Sequence, residues 1–177
     1  MDGKFVPSKS ITPEDIEKAV FPIGSEAHLM VEDVSLWLPC FKKFGSNRII
    51  YHFEINKDHK EIISQIRGYG FNVGLAVNPS TTLEEFKDLV NLVDMVLFMS
   101  VMPGFYGSAF VLEVLTKIKE FKQLFPQKKI GIDGGIKLDN VKAVANLGID
   151  YICVGSALLK SNNLKESYCT FKNMINE

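Results

Sequence analysis

The sequence has few of the residues that mark secreted or membrane-spanning proteins. It contains one tryptophan and three cysteines, and Cys40, Cys153 and Cys169 lack the spacing of metal ligands. We expect Cys40 and Cys153 to be small core residues, since both lie in apolar runs. No apolar run approaches the ~18 residues that span a bilayer, and residues 1–7 do not resemble a signal peptide. These absences argue against a disulfide scaffold or a membrane protein and predict a cytoplasmic location.

The chain also has no excess of charge of either sign. Twenty basic and 21 acidic residues give a net charge of −1, which provides no electrostatic case for binding nucleic acid or an anionic membrane. No linker, low-complexity tract or charge run divides the sequence, and 46% of its residues are hydrophobic. We therefore predict one globular domain over residues 1–177.

Apolar runs alternate with amphipathic segments along the chain. The predicted strands are Ser25–Val31, Arg48–Phe53, Asn72–Val77, Met95–Ser100, Ile130–Asp133 and Tyr151–Val154. The predicted helices run from Thr12 to about Val20, Val34 to Gly45 with Asp33 as cap, Asp58–Tyr69, Leu83 to about Val90, Phe110–Phe125, Leu138–Leu147 and Leu164–Ile175. Strands that are apolar throughout are typical of a parallel sheet covered on both faces. Six such units fit an open doubly wound sheet or most of a β/α barrel, and periodicity alone does not choose between them.

The most informative stretch is Ile130–Ile136, in which a buried strand ends in Asp133 and two glycines follow. Gly134 and Gly135 allow backbone N–H groups to approach an anion closely. The last predicted strand ends similarly, in Gly155 and Ser156. Paired strand ends of this kind predict a phosphate site beside a titratable acid. The alternative is that the glycines only form tight turns.

Six short sequence segments together resemble one known family. They are Met1–Pro7, His28–Val31, Ala76–Pro79, Met99–Phe105, Ile132–Ile136 and Gly155–Ser156. In order and spacing they resemble ribulose-phosphate 3-epimerase along the whole chain. The resemblance implies a TIM-type β/α barrel that begins here at the end of the second strand, so that strands 3–8 are present and strands 1–2 are largely missing.

The family interconverts ribulose 5-phosphate and xylulose 5-phosphate by moving a proton at C3. The resemblance implies that Asp133 is one proton carrier, and that His28 and Asp133 bind a divalent metal (Zn, Fe, Mn or Co). It also places His28 among the substrate-binding residues, and Met1, Met30 and Met99 as lining of the pocket. The residues matched to the segments that bind substrate phosphate are Gly104, Phe105, Tyr106, Gly107, Gly134, Gly135, Gly155 and Ser156.

The sequence departs from the family pattern at several positions. A His-x-Asp-x segment precedes Met-Asp-Gly in the family and supplies a metal ligand and the second proton carrier, whereas this sequence starts at Met1. Tyr106 and Ser108 replace a usual glycine and glutamine. His52 matches no family ligand, so we expect it to be structural. Because only one proton carrier is present, we expect the chain to be weakly active or inactive. Because only two metal ligands are present, we expect it to hold little metal. We also expect homo-oligomers that form through unpaired sheet edges.

Three functions remain open from the sequence. The first is a pentose-phosphate epimerase acting on a small phosphosugar. The second is a non-catalytic phosphosugar-binding protein derived from the same fold, which the missing His-x-Asp segment favours. The third is an epimerase of a six-carbon ketose phosphate. Retention of Asp133, His28 and every phosphate segment favours the first or third function.

Overall fold

The protein is built on one sheet of six parallel strands. The computed structural model describes residues 1–18, 23–104 and 108–176. The strands are hydrogen-bonded in chain order, and they are β1 (Glu26–Leu29), β2 (Arg48–His52), β3 (Asn72–Val77), β4 (Met95–Met99), β5 (Lys129–Asp133) and β6 (Tyr151–Cys153). All six predicted strands and the α/β class are confirmed, with differences of a few residues at the strand ends.

Helices follow the strands in sequence. They are α1 (Pro13–Lys18), α2 (Leu38–Phe44), α3 (His59–Gly68), α4 (Leu83–Phe86), α5 (Glu113–Leu124), α6 (Val141–Ala145), α7 (Ser156–Leu159) and α8 (Leu164–Asn176). Single 3-10 segments precede α2 at Ser35–Trp37 and follow α4 at Lys87–Leu92. Within the described residues, no helix is long and apolar enough to cross a membrane.

Contacts across the sheet show that it is curled into a half-barrel. The first and fifth strands would lie four strand spacings apart in a flat sheet, or roughly 19 Å. Instead, His28 on β1 is 3.1 Å from Asp133 on β5. The guanidinium of Arg48 on β2 lies 5.1 Å from the ring centroid of Tyr151 on β6. Because the sheet is curled, the strands form part of a barrel rather than an open sheet.

Alternate strand residues face the two sides of the curled sheet. One side packs against the helices, where Tyr51, Phe86, Phe98 and Phe121 are fully buried. The concave side holds a second apolar cluster that includes Ile50, Ala76, Met95, Leu97 and Met99. Burial on both sides explains why the strands have no polar alternation in the sequence.

The ends of the helices are determined by local hydrogen bonds more than by the apolar periodicity of the sequence. Asp58 caps α3 by accepting hydrogen bonds from the amides of Lys60 and Glu61, as the capping residue of that predicted helix should. Gly45 ends α2 with a φ of 85°, which glycine adopts readily.

Four predicted helix extents are wrong. The helix predicted from Val34 is of 3-10 form at Ser35–Trp37, so that α2 starts at Leu38. The fifth helix starts at Glu113 rather than Phe110, because the amide of Val111 instead donates to the carbonyl of Ser100. The predicted Leu138–Leu147 helix contracts to α6, because Asn140 bonds the Lys137 amide and the Gly135 carbonyl in a turn. The predicted helix from Leu83 changes to 3-10 form at Lys87. The predicted end of the first helix at Val20 lies outside the described residues.

The two cysteines expected in the core differ in their surroundings. Cys40 is buried on α2, as predicted. Cys153 is exposed, so its prediction as a core residue is wrong. Strand alternation turns its side chain to the concave side, next to Asp133 in the register of β5 and β6. Desolvation by the surrounding protein, together with the charges of Asp133 and Glu26, raises the pKa of Cys153 to about 12, so the thiol is protonated at neutral pH.

Candidate active site

A cavity of about 450 Å³ opens at the carboxyl ends of the strands. Every predicted site residue within the described ranges lines it: Met1, His28, Met30, Met99, Gly104, Asp133, Gly134, Gly135, Gly155 and Ser156. Phe105, Tyr106 and Gly107, which were also predicted to bind phosphate, lie outside the described residues. The cavity is therefore assembled from the ends or following loops of four strands, β1, β4, β5 and β6, together with the N-terminal segment.

Asp133 is held by hydrogen bonds from a buried serine on the neighbouring strand end. The amide of Ser100 donates to the Asp133 carbonyl at 2.8 Å, and the Ser100 hydroxyl donates to the carbonyls of Asp133 and Gly134 at 3.1 and 2.6 Å. Ser100 is fully buried, so these bonds are protected from competing water. They fix the backbone from which the Asp133 side chain projects into the cavity.

The two glycines after Asp133 are required by the backbone and by close packing. Gly134 has a φ of 116° and Gly135 a φ of 63°, in the region that side chains disfavour. A Cβ atom on Gly134 would lie 2.5 Å from a methyl group of Val101. Both glycines are therefore required by the tight turn, which was the alternative interpretation of the sequence. They also line the cavity.

Gly155 lies in a different environment from the other cavity glycines. A Cβ atom built there would meet no heavy atom within 4 Å, so the position faces open space on the cavity wall. Ser156 follows it along the same wall. This opening leaves the backbone of residue 155 accessible to a ligand in the cavity.

His28 contacts different partners through its two ring nitrogens. Its Nδ1 is 3.1 Å from Oδ2 of Asp133, and its Nε2 is 2.9 Å from Nε2 of His52. The two imidazole planes differ by 15°, with centroids 5.0 Å apart, so the nitrogens meet edge to edge in nearly one plane. Side chains of three strands are thus connected across the concave face.

His52 is structural in the sense that it is completely buried, but it also reaches the site. Its Nδ1 is 3.3 Å from Oε2 of Glu54. Burial lowers the pKa of His52, which keeps the ring neutral near pH 7. Glu54 was not predicted from the sequence, although its position two residues after His52 at a strand end was an available signal.

Glu54 is held at the end of β2 by polar groups of the next loop. Its Oε1 accepts hydrogen bonds from the Asn78 amide at 2.7 Å and the Thr81 hydroxyl at 2.5 Å. Burial alone would raise the pKa of Glu54, but the hydrogen bonds it accepts hold that pKa below its usual value. Glu54 is therefore a carboxylate at neutral pH.

A cation that was not predicted from the sequence lies beside the cavity. Lys137 follows the Gly-Gly-Ile segment, lines the cavity and is exposed. Ser10 lines the same space, and its hydroxyl accepts a 2.9 Å hydrogen bond from the amino group of Met1. Lys137 is the residue type that complements a phosphate charge, and its place two residues after Gly135 was a sequence signal.

The described residues do not fit a complete divalent-metal site. Nδ1 of His28 and Oδ2 of Asp133 lie 3.1 Å apart, close enough to bind the same ion. These are only two donors, whereas zinc sites in proteins use three or four ligands. Across the ranges described, no group of three or more His, Cys, Asp or Glu residues converges to hold a metal. His52 does not complete the set, because it faces the opposite nitrogen of His28.

A half-barrel whose strand ends carry a carboxylate, a histidine and glycines matches the face of β/α barrels at which active sites lie. Comparison with known proteins defines the class further. The sequence profile of the Ribulose-phosphate 3 epimerase family matches residues 1–159. The chain belongs to this family, and hence to the epimerases, which are enzymes of the isomerase class.

Individual relatives agree with the family match. Ribulose-phosphate 3-epimerase 1 of Cupriavidus necator is 35% identical over 188 aligned residues, which cover all of this chain and 78% of the relative. Ribulose-phosphate 3-epimerase of Aquifex aeolicus is 34% identical over 183 residues, covering 99% of this chain and 82% of its own. The first alignment spans this whole chain and so includes every strand and loop that forms the cavity.

Solved structures with lower identity share the fold. The structure of 3-hexulose-6-phosphate synthase from Salmonella typhimurium has a TM-score of 0.66 at 18% identity, covering 86% of this chain and 73% of its own. KGPDC from Streptococcus mutans has a TM-score of 0.71 at 12% identity, covering 85% and 72%. These similarities support the barrel-type architecture that the curl of the sheet indicates.

Proposed function

We propose that this chain acts on ribulose 5-phosphate and xylulose 5-phosphate, with Asp133 carrying the proton that leaves or returns to C3. The observation that carries this proposal is the position of Asp133, whose carboxylate lines a cavity bordered by glycine-bearing strand ends. The named relatives are ribulose-phosphate 3-epimerases, which supports the same substrate pair.

The reaction requires only proton transfers and no net oxidation. Asp133 takes the C3 proton, and the electrons of the C–H bond form the C2–C3 double bond of an enediolate while the C2 carbonyl oxygen becomes negative. Return of a proton to the same face regenerates the starting sugar, and delivery to the opposite face gives its epimer. Asp133 serves one face. Among the described residues that line the cavity it is the single carboxylate, so the opposite face needs a second proton carrier.

We assign the phosphate of the sugar to the glycine side of the cavity. Gly104, Gly134, Gly135, Gly155 and Ser156 border this side, and amides without side chains can approach phosphate oxygens closely. The ammonium group of Lys137 adds a positive charge there. The phosphate would thus bind away from the His28–Asp133 pair, leaving C3 near the carboxylate.

A divalent metal, where present, would supply charge stabilisation of the enediolate oxygen. His28 and Asp133 are the donors that the family resemblance assigns to it. Because the described residues do not complete a metal site, the proton transfers above are derived from Asp133 and the substrate alone.

The phosphate assignment is tested with two substitutions of equal size. Gly155→Asp and Gly155→Asn enter the same open space, but only aspartate adds a negative charge next to the proposed phosphate. A phosphosugar at about 100 times its Kd should raise the wild-type Tm by roughly 5–10 °C. We expect the asparagine variant to keep more of this shift and the aspartate variant to lose it. A wild-type Tm that millimolar phosphosugar leaves unchanged would contradict the proposal.

A second candidate function is non-catalytic binding of a phosphosugar. One observation favours it, namely the single carboxylate among the described cavity residues. Both functions predict the Tm shift of the wild type. They differ at C3, because a binding protein leaves the C3–H bond intact whereas an enzyme with Asp133 as base breaks it.

A further inference from the structure

We propose that Val6 and Ser8 are positioning residues that hold Gly104 in place for binding the phosphate group of the substrate. Neither side chain lines the cavity, so both act through Gly104. The inference rests on the phosphate assignment proposed above, and it goes beyond that assignment by naming residues outside the cavity on which phosphate affinity depends.

Residues 1–10, which we call the strap, lie across the carboxyl ends of the strands. Oδ2 of Asp2 accepts a 2.8 Å hydrogen bond from the amide of Glu32 in the loop after β1. The ring of Phe5 packs on His52 at the end of β2, with ring centroids 4.9 Å apart. The described residues that line the cavity include none from β2, β3 or their following loops. The strap therefore covers the end of β2, and the cavity opens beside it.

The strap meets the loop after β4 at Gly104. Gly104 has a φ of 100°, and a Cβ atom built on it would lie 2.8 Å from Cβ of Val6. Val6 is only 3% exposed, so it occupies the space that a side chain at position 104 would need. The hydroxyl of Ser8 donates a hydrogen bond to the carbonyl of Gly104. A close apolar contact and a hydrogen bond thus hold Gly104 from the side of the strap.

On its other side, the loop after β4 packs against the turn that follows Asp133. A Cβ atom on Gly134 would lie 2.5 Å from a methyl group of Val101, and a Cβ atom on Gly135 would lie 3.2 Å from Val101. Val101 is buried in this contact. The loop is therefore in close contact with the strap and with the glycine turn. Its seat on the strap determines how far Gly104 lies from Gly134, and both residues border the proposed phosphate position.

The hydrogen bond from Ser8 also determines the direction of the Gly104 carbonyl. Glycine has access to more backbone conformations than other residues, so this peptide group can turn more easily than most. A carbonyl oxygen that pointed into the cavity would repel a phosphate. Donation from Ser8, which is outside the cavity, keeps the oxygen directed towards the strap. We therefore expect loss of this bond to weaken phosphate binding.

The test compares the dissociation constant of inorganic phosphate for the wild type and for Ser8→Ala, measured from the amide signals of Gly134 and Gly155 in ¹H–¹⁵N spectra. We expect Ser8→Ala to raise the Kd about 2- to 10-fold, the range for loss of one hydrogen bond. The Kd of ribulose 5-phosphate should rise by a similar factor. A merely structural role of Ser8 would lower the Tm but leave the Kd of the folded protein unchanged.

Thr170→Val is the matched control. It removes a 3.0 Å hydrogen bond from a hydroxyl to the carbonyl of Glu166 within α8, and Thr170 does not line the cavity. We expect this variant to keep the wild-type Kd. A rise in Kd equal to that of Ser8→Ala would show that the effect is not specific to the strap and would overturn the proposal.

The wild type tests the contact even where Ser8→Ala fails to fold. Coupling between two sites is reciprocal, so bound phosphate must in turn stabilise the strap on Gly104. We expect the amide signals of Val6 and Ser8 to shift with the same midpoint as that of Gly134 during the phosphate titration. Signals of Val6 and Ser8 that stay constant while Gly134 responds would refute the proposal.

Failure of this proposal can be distinguished from failure of the proposed function. A wild type that binds phosphate with the same Kd as folded Ser8→Ala refutes the positioning role alone. A wild type in which no amide signal responds to millimolar inorganic phosphate or ribulose 5-phosphate refutes the phosphate assignment, and the positioning role with it.

Discussion

Asp133 and His28 are brought together from strands that are separated by more than 100 residues of sequence. Their side chains meet at 3.1 Å, and each is only partly exposed, 29% for Asp133 and 19% for His28. Ser100 fixes the backbone of the first, and His52 fixes the ring of the second. The site is therefore rigid at its base and open towards the cavity, as a proton-transfer site requires.

The individual site residues were predictable from the sequence to different degrees. Asp133 and its glycines were indicated by local pattern, because a strand end followed by two glycines is a short-range signal. His28 required the family resemblance, since a lone histidine in an apolar strand has no local signal. The contact between His52 and His28 depends on the pairing of β1 with β2, which no spacing along the chain specifies.

The metal content is predicted from the number of ligands. Two donors give weak binding, whereas stable zinc sites in proteins use three or four. We therefore expect the 177-residue chain to lose divalent metal on dialysis, as measured by elemental analysis. Zinc or iron that remains in a one-to-one ratio with the chain would mean that donors other than those described complete the site.

At the scale of elements, strands were predicted more accurately than helices. Burial on both faces makes each strand a continuous apolar run, and strand ends were correct to within two residues, as with β3 at Asn72–Val77. Helix ends depend on side-chain hydrogen bonds that override apolar periodicity, as Asn140 does before α6. The four-residue helix α7 was not predicted, because its sequence is too short to show a period.

The outer strands of the sheet lead to a prediction about association. Among the described strands, β1 pairs only with β2 and β6 only with β5, so each has one edge with unpaired backbone groups. Such edges pair readily with another chain. Sedimentation velocity over a dilution series should show homo-oligomers of the 177-residue chain that dissociate on dilution. A monomer at every concentration would contradict this expectation.

At the scale of the whole molecule, side chains inside the curve connect distant strands. Arg48 bonds Glu26 at 2.6 Å and the sulfur of Met95 at 3.0 Å, while its guanidinium lies over Tyr151. These contacts join strands at the amino end of the half-barrel, and His28 with Asp133 does so at the carboxyl end. Periodicity predicted the six units but not the curl, which depends on such long-range contacts and was anticipated only through the family resemblance.

The proposed chemistry also predicts how the isolated chain behaves as a whole. Epimerisation needs a proton carrier on each face of C3, and the described cavity provides one carboxylate. Losing a positioned acid–base group typically costs about 10² to 10⁴ in rate. Removal and return of a proton on one face needs Asp133 alone, so exchange of the C3 hydrogen with solvent should be much faster than net epimerisation.

The most direct test is therefore the C3 exchange itself, followed by proton NMR in D₂O with ribulose 5-phosphate and xylulose 5-phosphate in separate samples. We expect the 177-residue chain to exchange the C3 hydrogen of one epimer at least about 100-fold faster than that of the other, and Asp133→Asn to abolish the difference. Asp139→Asn removes an equal charge from an exposed position nearby and should leave the exchange unchanged. Exchange that persists in Asp133→Asn, or the absence of exchange from either epimer in a wild-type protein that binds phosphosugar, would contradict the assignment of Asp133 as the proton carrier.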